Sequence, residues 1–256
     1  MEHTIALVTG AAGGIGAAVA RALGERGVIV AAVDKDAGRL DETVQKLTAD
    51  GLAAEAFPAD VTDRAAVRAL VDEVERRLGP VEHLVNAAGV LRQGPVADFT
   101  DEDWHATFAV NVTGVFQVSR AVAARMASRG RGAMVTVASN AASTPRADMA
   151  AYAASKAAAA MFTKSLGLEV SAHGIRSNVV APGSTDTPML RSMWHDDTGP
   201  RATIEGRPEA FRVGIPLGRI AEPRDIADAV VFLLSDRAAH ITLHELTVDG
   251  GATLGV

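Results

Sequence analysis

The sequence contains no cysteine, only one tyrosine and no cluster of lysine and arginine residues. The lack of cysteine excludes disulfides, thiolate metal sites and a cysteine nucleophile, and it is typical of a reducing compartment. A net charge of −6 without a basic patch argues against nucleic acid as a partner. No apolar stretch is long enough to cross a bilayer, and residues 1–10 lack the features of a secretion signal. We therefore expect a cytoplasmic protein with no membrane partner.

Short apolar runs alternate with longer amphipathic stretches along the chain. The runs comprise residues 5–8, 28–33, 53–57, 83–85, 134–137, 176–180 and 246–248. Their nearly continuous apolarity is typical of strands buried on both faces of a parallel sheet. The alternation predicts an α/β fold: one Rossmann-type domain over residues 1–256, with a doubly wound parallel β-sheet flanked by helices. Ligands bind such sheets beyond the carboxyl ends of the strands, so we expect functional residues just after strands.

Residues 184–212 break this alternation. The segment contains three prolines, a tryptophan and a charged middle, and it is long for a loop. A long excursion after a strand of an α/β enzyme is more often a substrate lid than a linker. We predict a lid.

A glycine-rich turn follows the first predicted strand and opens a helix. Gly10, Gly14 and Gly16 let the backbone approach a pyrophosphate, which the free N–H groups of the helix N-terminus would bind. Asp34 ends the second predicted strand, where a carboxylate accepts from ribose hydroxyls and repels a 2′-phosphate, so the sequence favours NAD over NADP. The alternative for Asp34 is an N-cap of the next helix.

Tyr152 and Lys156 are four residues apart in a predicted helix and therefore share one face. A tyrosine that acts as a base near neutral pH needs its pKa lowered by about 3 units, roughly 4 kcal/mol, and a neighbouring ammonium stabilises the phenolate. Ser139 ends a predicted strand thirteen residues upstream, where its hydroxyl would hold a substrate oxygen. Taken singly, Ser139 is also suited to starting a turn, and Lys156 to a solvated helix face.

These motifs resemble the short-chain dehydrogenase/reductase family over essentially the whole chain. The resemblance implies that Tyr152 is the general acid/base, that Ser139 orients the substrate, and that Lys156 lowers the pKa of the tyrosine and binds the nicotinamide ribose. It also implies that Asn111 helps to hold a water for proton relay. The cofactor residues that it implies are Gly10, Gly14, Ile15, Gly16, Asp34, Asp60, Val61, Asn86, Ala87, Gly89, Tyr152, Lys156, Pro182, Gly183, Thr185 and Thr187.

Stretches at residues 90–94, 139–146, 181–187 and 240–256 resemble a narrower group of the family, the dehydrogenases that act on 2,3-dihydro-2,3-dihydroxybenzoate in catechol siderophore synthesis. This resemblance implies that NAD oxidises the ring 3-hydroxyl, after which the ketone tautomerises to an aromatic catechol. Two alternatives stay open. One is the same reaction on 2,3-dihydro-3-hydroxyanthranilate, which carries an amine at position 2, and the other is a non-catalytic NAD-binding regulator.

The expected substrate is a cyclic dihydro-hydroxy carboxylate, which an arginine binds well through a bidentate pair. Arg92 and Arg146 each follow a strand end that carries cofactor or catalytic residues, although both are also suited to the surface. Asn140 is the residue to compare between the hydroxyl and the amino substrate. Leu91, Met189, Met193 and Trp194 are candidates for an apolar pocket or for core packing.

Two further features concern metals and assembly. His240 and His244 have the spacing of metal ligands on a helix, but the residues between them indicate strand or loop, so we predict no metal site. The alanine-rich helix around Tyr152 permits close approach by another helix. The family resemblance implies that this helix forms a subunit interface of a homotetramer, and packing within the chain is the alternative.

Overall fold

The predicted strands all form in the computed structural model, which describes residues 1–194 and 196–255. They are β1 (Ile5–Thr9), β2 (Ile29–Asp34), β3 (Ala54–Pro58), β4 (Val81–Asn86), β5 (Gly132–Val137), β6 (Ile175–Pro182) and β7 (Glu245–Val248). They pair in one parallel sheet in the order β3-β2-β1-β4-β5-β6-β7. The α/β prediction is therefore confirmed.

The helices lie between the strands, as a parallel sheet requires. They are α1 (Gly14–Gly24), α2 (Ala37–Ala49), α3 (Arg64–Arg77), α4 (Asp101–Phe108), α5 (Val115–Arg129), α6 (Ala150–Ser171), α7 (Pro188–Arg191), α8 (Gly199–Glu205) and α9 (Pro223–Leu234). A π-helical turn, Ala109–Gly114, joins α4 to α5. Asp36 is the N-cap of α2 and accepts from the amide of Arg39 at 3.1 Å, so Asp34 does not cap this helix.

Two apolar cores cover the two faces of the sheet. One contains Val19 of α1, Leu40 of α2 and Ile226 of α9. The other contains Leu70 of α3 and Val118 of α5. Because both faces are covered, the strand ends are the parts of the sheet that reach solvent, and the carboxyl ends hold the candidate site.

The strand order reverses between β1 and β4, which are neighbours in the sheet with Thr9 opposite Asn86. The loops that follow these two strands run to opposite sides and leave a crevice between them. The glycine-rich turn follows β1, and the loop 87–90 follows β4, so both line this crevice.

The described parts of the segment 184–212, residues 184–194 and 196–212, are folded rather than extended. They contain α7, α8 and a short 3₁₀ turn, Pro208–Ala210, and the backbones of Arg207 and Arg212 pair across that turn. None of the helices that the structure describes is long and apolar enough to span a membrane.

Candidate active site

Two adjoining cavities form a cleft at the carboxyl ends of the strands. The first, about 300 Å³, lies against the glycine-rich turn and is called the glycine-loop cavity. The second, about 140 Å³, lies against Tyr152 and is called the tyrosine cavity. They share the lining residues Ile15, Ala87, Gly89, Thr187 and Met189. A ligand that fills both would extend from the N-terminus of α1 to the phenol.

The backbone of the glycine-loop cavity is held by Thr9, at the end of β1. Its hydroxyl accepts from the amides of Ala87 and Ala88 at 3.1 and 3.2 Å, which ties the loop after β4 to β1. A Cβ on Gly16 would lie 2.1 Å from the carbonyl oxygen of Gly10, so only glycine lets the first turn of α1 pack on the loop. Helix α1 begins without a side-chain cap, and its first N–H groups are therefore available to a ligand.

Asp34 lies at the far end of the glycine-loop cavity. Its carboxylate accepts from the amide of Ala12 at 3.2 Å and from that of Asp36 at 3.1 Å. These contacts fix the acid beside the turn. Lys35 and Arg39 line the same cavity, although neither was predicted as a site residue.

The other predicted cofactor residues divide into two groups. Gly10, Gly14, Ile15, Gly16, Asp60, Val61, Ala87, Gly89 and Thr187 line the glycine-loop cavity. Tyr152, Lys156, Pro182, Gly183 and Thr185 line the tyrosine cavity. Asp60 accepts hydrogen bonds from the amide and hydroxyl of Thr62 at 2.8 and 2.7 Å. The hydrogen bond from the backbone amide is the main cause of the lowered pKa of Asp60.

Asn86 is the exception, because it lines neither cavity. Its side-chain nitrogen donates to Ser119 at 2.9 Å and to Thr136 at 3.3 Å, beneath the cleft. The buried amide therefore joins β4 to α5 and β5 and supports the loop that follows it. Asn86 was predicted as a cofactor-binding residue, and the structure instead places its side chain beneath the cleft.

Tyr152, Ser139 and Lys156 meet at the tyrosine cavity, and all three are buried. The hydroxyl of Ser139 is hydrogen-bonded to the phenol of Tyr152. The Lys156 ammonium lies 5.7 Å from the centre of the tyrosine ring, and it donates to the carbonyl of Val137 at 3.0 Å. Lys156 is thus held by the end of β5 and is not on a solvated helix face.

Burial governs the titration of this group. Desolvation raises the pKa of Tyr152, and the hydrogen bond to Ser139 acts in the opposite direction. Desolvation also lowers the pKa of Lys156 to about 8, so the ammonium is the main form at neutral pH. The protein alone therefore keeps the phenol protonated. A base at this position needs further positive charge beside the ring.

Asn111 lies in the π-helical turn, a type of turn that is frequent at functional sites. Its amide oxygen accepts from the amide of Val90 at 2.9 Å, and its amide nitrogen donates to the carbonyl of Val90 and to Ser155, both at 3.0 Å. Ser155 donates to the carbonyl of Tyr152 at 2.7 Å. The Asn111 side chain thus connects the loop after β4 to the helix that carries the tyrosine.

The predicted substrate residues Leu91, Ser139, Asn140, Arg146 and Met189 all line the tyrosine cavity. The Asn140 side-chain nitrogen donates to Asp249 at 3.2 Å, which leaves the amide oxygen and one N–H of this side chain available to a substituent. Met193 also lines this cavity. Trp194 lies against Gly199 and donates to Thr203 at 3.2 Å, so it packs within the segment 184–212.

Arg92 is placed elsewhere, and the structure does not support its predicted substrate role. It is exposed and forms an ion pair with Asp103 of α4 at 3.2 Å. Its neighbour Leu91 lines the cavity instead. In an extended loop successive side chains point in opposite directions, and the sequence did not specify which one points inward.

Arg212 is a cavity residue that sequence reasoning missed. It lines the tyrosine cavity from the end of the segment 184–212. The residue is distant in sequence from every recognised motif, and no local pattern marks it.

His240 and His244 lie in the loop before β7.

The cleft fits a nicotinamide dinucleotide. The uncapped start of α1 suits a pyrophosphate, and the cavity beyond it leads to the buried lysine and tyrosine. Gly89 lies at the junction, where a Cβ would be 3.3 Å from the Lys156 nitrogen and 3.4 Å from the Asn111 amide oxygen. A side chain at this position would fill the passage between the two cavities.

Comparison with known proteins agrees with this geometry. A family model described as short chain dehydrogenase matches residues 4–198. A 2,3-dihydro-2,3-dihydroxybenzoate dehydrogenase of Bacillus subtilis (strain 168) is 56% identical over 256 residues, covering 100% of this chain and 98% of the relative. The enzyme of the same description from Escherichia coli (strain K12) is 44% identical over 248 residues, covering 97% and 96%.

Among solved structures, a gluconate 5-dehydrogenase from Burkholderia cenocepacia J2315 in complex with NADP and tartrate is similar in both sequence and fold. It is 34% identical with a TM-score of 0.92, and the match covers 100% of this chain and 97% of that chain. The chain belongs to the short chain dehydrogenase family.

Proposed function

We propose that this chain is an NAD-dependent dehydrogenase that oxidises the ring 3-hydroxyl of 2,3-dihydro-2,3-dihydroxybenzoate. The observation that carries the proposal is the tyrosine cavity, where Ser139, Tyr152 and Lys156 meet beside the guanidinium of Arg146. An alcohol-oxidising group and a carboxylate-binding group thus line one small cavity. The two relatives at 56% and 44% identity, both described as dehydrogenases of this substrate, support the same conclusion.

In this mechanism Tyr152 is the general base and Ser139 orients the substrate. The 3-hydroxyl hydrogen-bonds to both side chains, and its proton moves to the Tyr152 phenolate as the hydride leaves C3. NAD, if bound in its oxidised form, would supply the hydride acceptor and the positive charge that the raised pKa of the phenol requires. Lys156 adds its fixed ammonium to that charge and binds the nicotinamide ribose, and Asn111 helps to hold a water that relays the proton.

The ketone that forms at C3 tautomerises: C2 loses a proton, the oxygen at C3 gains one, and the ring becomes an aromatic catechol, 2,3-dihydroxybenzoate. Recovered aromaticity makes the overall oxidation favourable, which suits a biosynthetic step toward catechol siderophores or related secondary metabolites. We further propose that residues 184–212 act as a lid, because Met189, Met193 and Arg212 of this segment line the tyrosine cavity.

NAD is proposed as the cofactor because the Asp34 carboxylate lies where the adenine ribose is expected. Lys35 and Arg39 line the same cavity, and the Burkholderia relative was crystallised with NADP, so cofactor preference needs a direct test. The contacts of Asp60, Val61 and the residues 182–187 with the cofactor are proposals of the same kind. No observation favours the amino substrate or a non-catalytic regulator.

We propose a homotetramer on the basis of apolar side chains exposed on two neighbouring helices. Phe116 of α5 packs edge-to-face on Phe162 of α6, with 5.8 Å between ring centres. Phe116 is exposed, and so are Met161 and Leu168 of α6. An apolar surface of this kind on paired helices is typical of a subunit interface.

A cytoplasmic location stays a prediction.

Replacing Tyr152 by phenylalanine tests the catalytic role. We expect purified wild-type protein to produce NADH from NAD and 2,3-dihydro-2,3-dihydroxybenzoate. The Tyr152→Phe variant should lose roughly 10²- to 10⁴-fold in kcat, the usual contribution of a general base, while NAD affinity stays near the wild-type value. Absorbance of NADH gives the rates, and fluorescence titration gives the affinity. Equal turnover by the variant would refute the mechanism, and faster wild-type turnover of the amino substrate would favour the rival substrate.

Ser139 is expected to set the pH range of the reaction. Its hydrogen bond lowers the pKa of Tyr152, and the phenolate is the active base, so kcat/KM rises with pH. Ser139→Ala removes this bond, raises the tyrosine pKa and should move the rise to higher pH. Ser139→Thr keeps a hydroxyl and serves as the control. A profile of kcat/KM that keeps its position in Ser139→Ala would show that Ser139 does not influence the base.

Asp34 is expected to determine the choice between NAD and NADP. We expect wild-type kcat/KM with NAD to exceed that with NADP by about 100-fold, because a like-charge contact with the 2′-phosphate costs several kcal/mol. Asp34→Asn should reduce the ratio, whereas Asp41→Asn, an exposed acid of α2 that does not line the cavity, should not. Initial rates with both cofactors measure this. A wild-type preference for NADP would contradict the assignment.

Light scattering tests the oligomeric state. Wild-type protein should have the mass of four chains, and Met161→Glu should give smaller species because it places a charge in the apolar contact. The control is Val96→Glu, which changes an exposed apolar residue outside α5 and α6. A wild-type monomer, or a tetramer unaffected by Met161→Glu, would contradict the proposed interface.

A further inference from the structure

Two guanidinium groups converge on the tyrosine cavity from different parts of the chain. Arg146 follows β5 in the loop that leads to α6, and Arg212 lies at the end of the segment 184–212. Both are partly buried. Burial lowers the pKa of Arg212, and the nearby charge of Arg146 lowers it further.

The two arginines differ in their counter-charges. Burial lowers the pKa of Arg146, and the negative charge of Asp249 raises it by a smaller amount. Asp249 itself accepts from Thr253 at 2.7 Å and from the amide of Gly251 at 2.9 Å. The charged groups that act on Arg212 are both cations, Arg146 and Arg207. Arg207 has its own partner, Glu209, at 2.8 Å.

Neither guanidinium in the cavity is engaged by the protein. Within residues 1–194 and 196–255, no hydrogen bond or ion pair joins the guanidinium of Arg146 or Arg212 to another group. By contrast, Arg191 of α7, Arg201 of α8 and Arg224 of α9 each have a carboxylate partner. Two partly buried, unpaired cations that line one cavity are unfavourable unless an anion neutralises them. The cavity also presents the apolar side chains of Leu91, Met189 and Met193. Its chemistry suits a flat ring with one negatively charged substituent.

We infer that Arg146 and Arg212 together bind the carboxylate of the substrate, and that Arg212 links binding of this carboxylate to the position of the segment 184–212. This inference rests on the proposed function and identifies a binding residue that the sequence motifs do not contain. Arg146 is carried by the loop after β5, beside Ser139, and it fixes the ring relative to the base. Arg212 is held by the backbone pairing of Arg207 with Arg212, with hydrogen bonds of 2.8 and 3.0 Å, so its position follows that of the segment.

The arrangement predicts selectivity for acids over the corresponding neutral rings. A planar guanidinium binds a carboxylate through two parallel hydrogen bonds, and a pair of them neutralises its charge on two sides. A neutral diol leaves both cations without a partner. The loss on removing Arg212 should therefore depend on whether the ligand carries the carboxylate.

The test compares one acid and one neutral ligand in each of two assays. Turnover is measured with 2,3-dihydro-2,3-dihydroxybenzoate and with its decarboxylated analogue, 5,6-dihydroxycyclohexa-1,3-diene. Binding is measured by calorimetry with 2,3-dihydroxybenzoate and with catechol. Arg212→Gln should lower kcat/KM and affinity for the acids by roughly 10- to 100-fold and change the values for the neutral rings by less than about 3-fold. Arg212→Lys, which keeps the charge but not the planar fork, should lose less.

Arg201→Gln is the matched control, because Arg201 lies in α8 of the same segment, is exposed and pairs with Glu205 at 2.8 Å. It should behave as wild type with all four ligands. Equal losses by Arg212→Gln on acids and neutral rings, or no loss on the acids, would overturn the inference. Wild-type protein that binds 2,3-dihydroxybenzoate through Arg212 but does not oxidise the dihydro acid would refute the proposed function while supporting the carboxylate site.

Discussion

The buried ammonium of Lys156, which donates to the last carbonyl of β5, is the contact on which the active site depends. It joins the helix that carries Tyr152 to the carboxyl end of β5, two residues before Ser139. A buried charge is costly, and here burial lowers the pKa of Lys156 to about 8 and raises that of Tyr152. The protein thus keeps a protonated phenol beside a fixed cation, and further positive charge from the oxidised cofactor would convert that phenol to a base.

The two ends of the cleft offer different polar groups. At one end Asp34, Lys35 and Arg39 line a cavity that also contains the uncapped start of α1, whose amides are free to bind a phosphate. At the other end Arg146 and Arg212 provide two cations next to apolar side chains. A dinucleotide would therefore lie along the glycine-loop cavity, and a small cyclic acid would lie in the tyrosine cavity. Gly89 lines both cavities, and a side chain there would narrow the passage between them.

Much of the fold was predictable because buried parallel strands are almost continuously apolar, and each predicted run lies within a strand or begins one residue before it. The residues of the site that lie in short motifs were predictable for the same local reason. The direction of side chains within a loop was not predictable from the sequence. Both Leu91 and Arg92 were therefore predicted as substrate residues, although only Leu91 lines the cavity. Arg212 was beyond reach because the folding of residues 184–212 brings it to the cavity, and no periodicity or motif encodes that contact.

The central claim is that the hydride leaves C3 of the ring while Tyr152 takes the proton of the 3-hydroxyl. Isotopic labelling tests it most directly. Substrate carrying deuterium only at C3 is incubated with the enzyme and NAD, and the reduced cofactor is examined by mass spectrometry. The account predicts that deuterium from C3 appears in the reduced cofactor, whereas deuterium placed only at C2 is released to solvent. Transfer of the C2 label to the cofactor would contradict it.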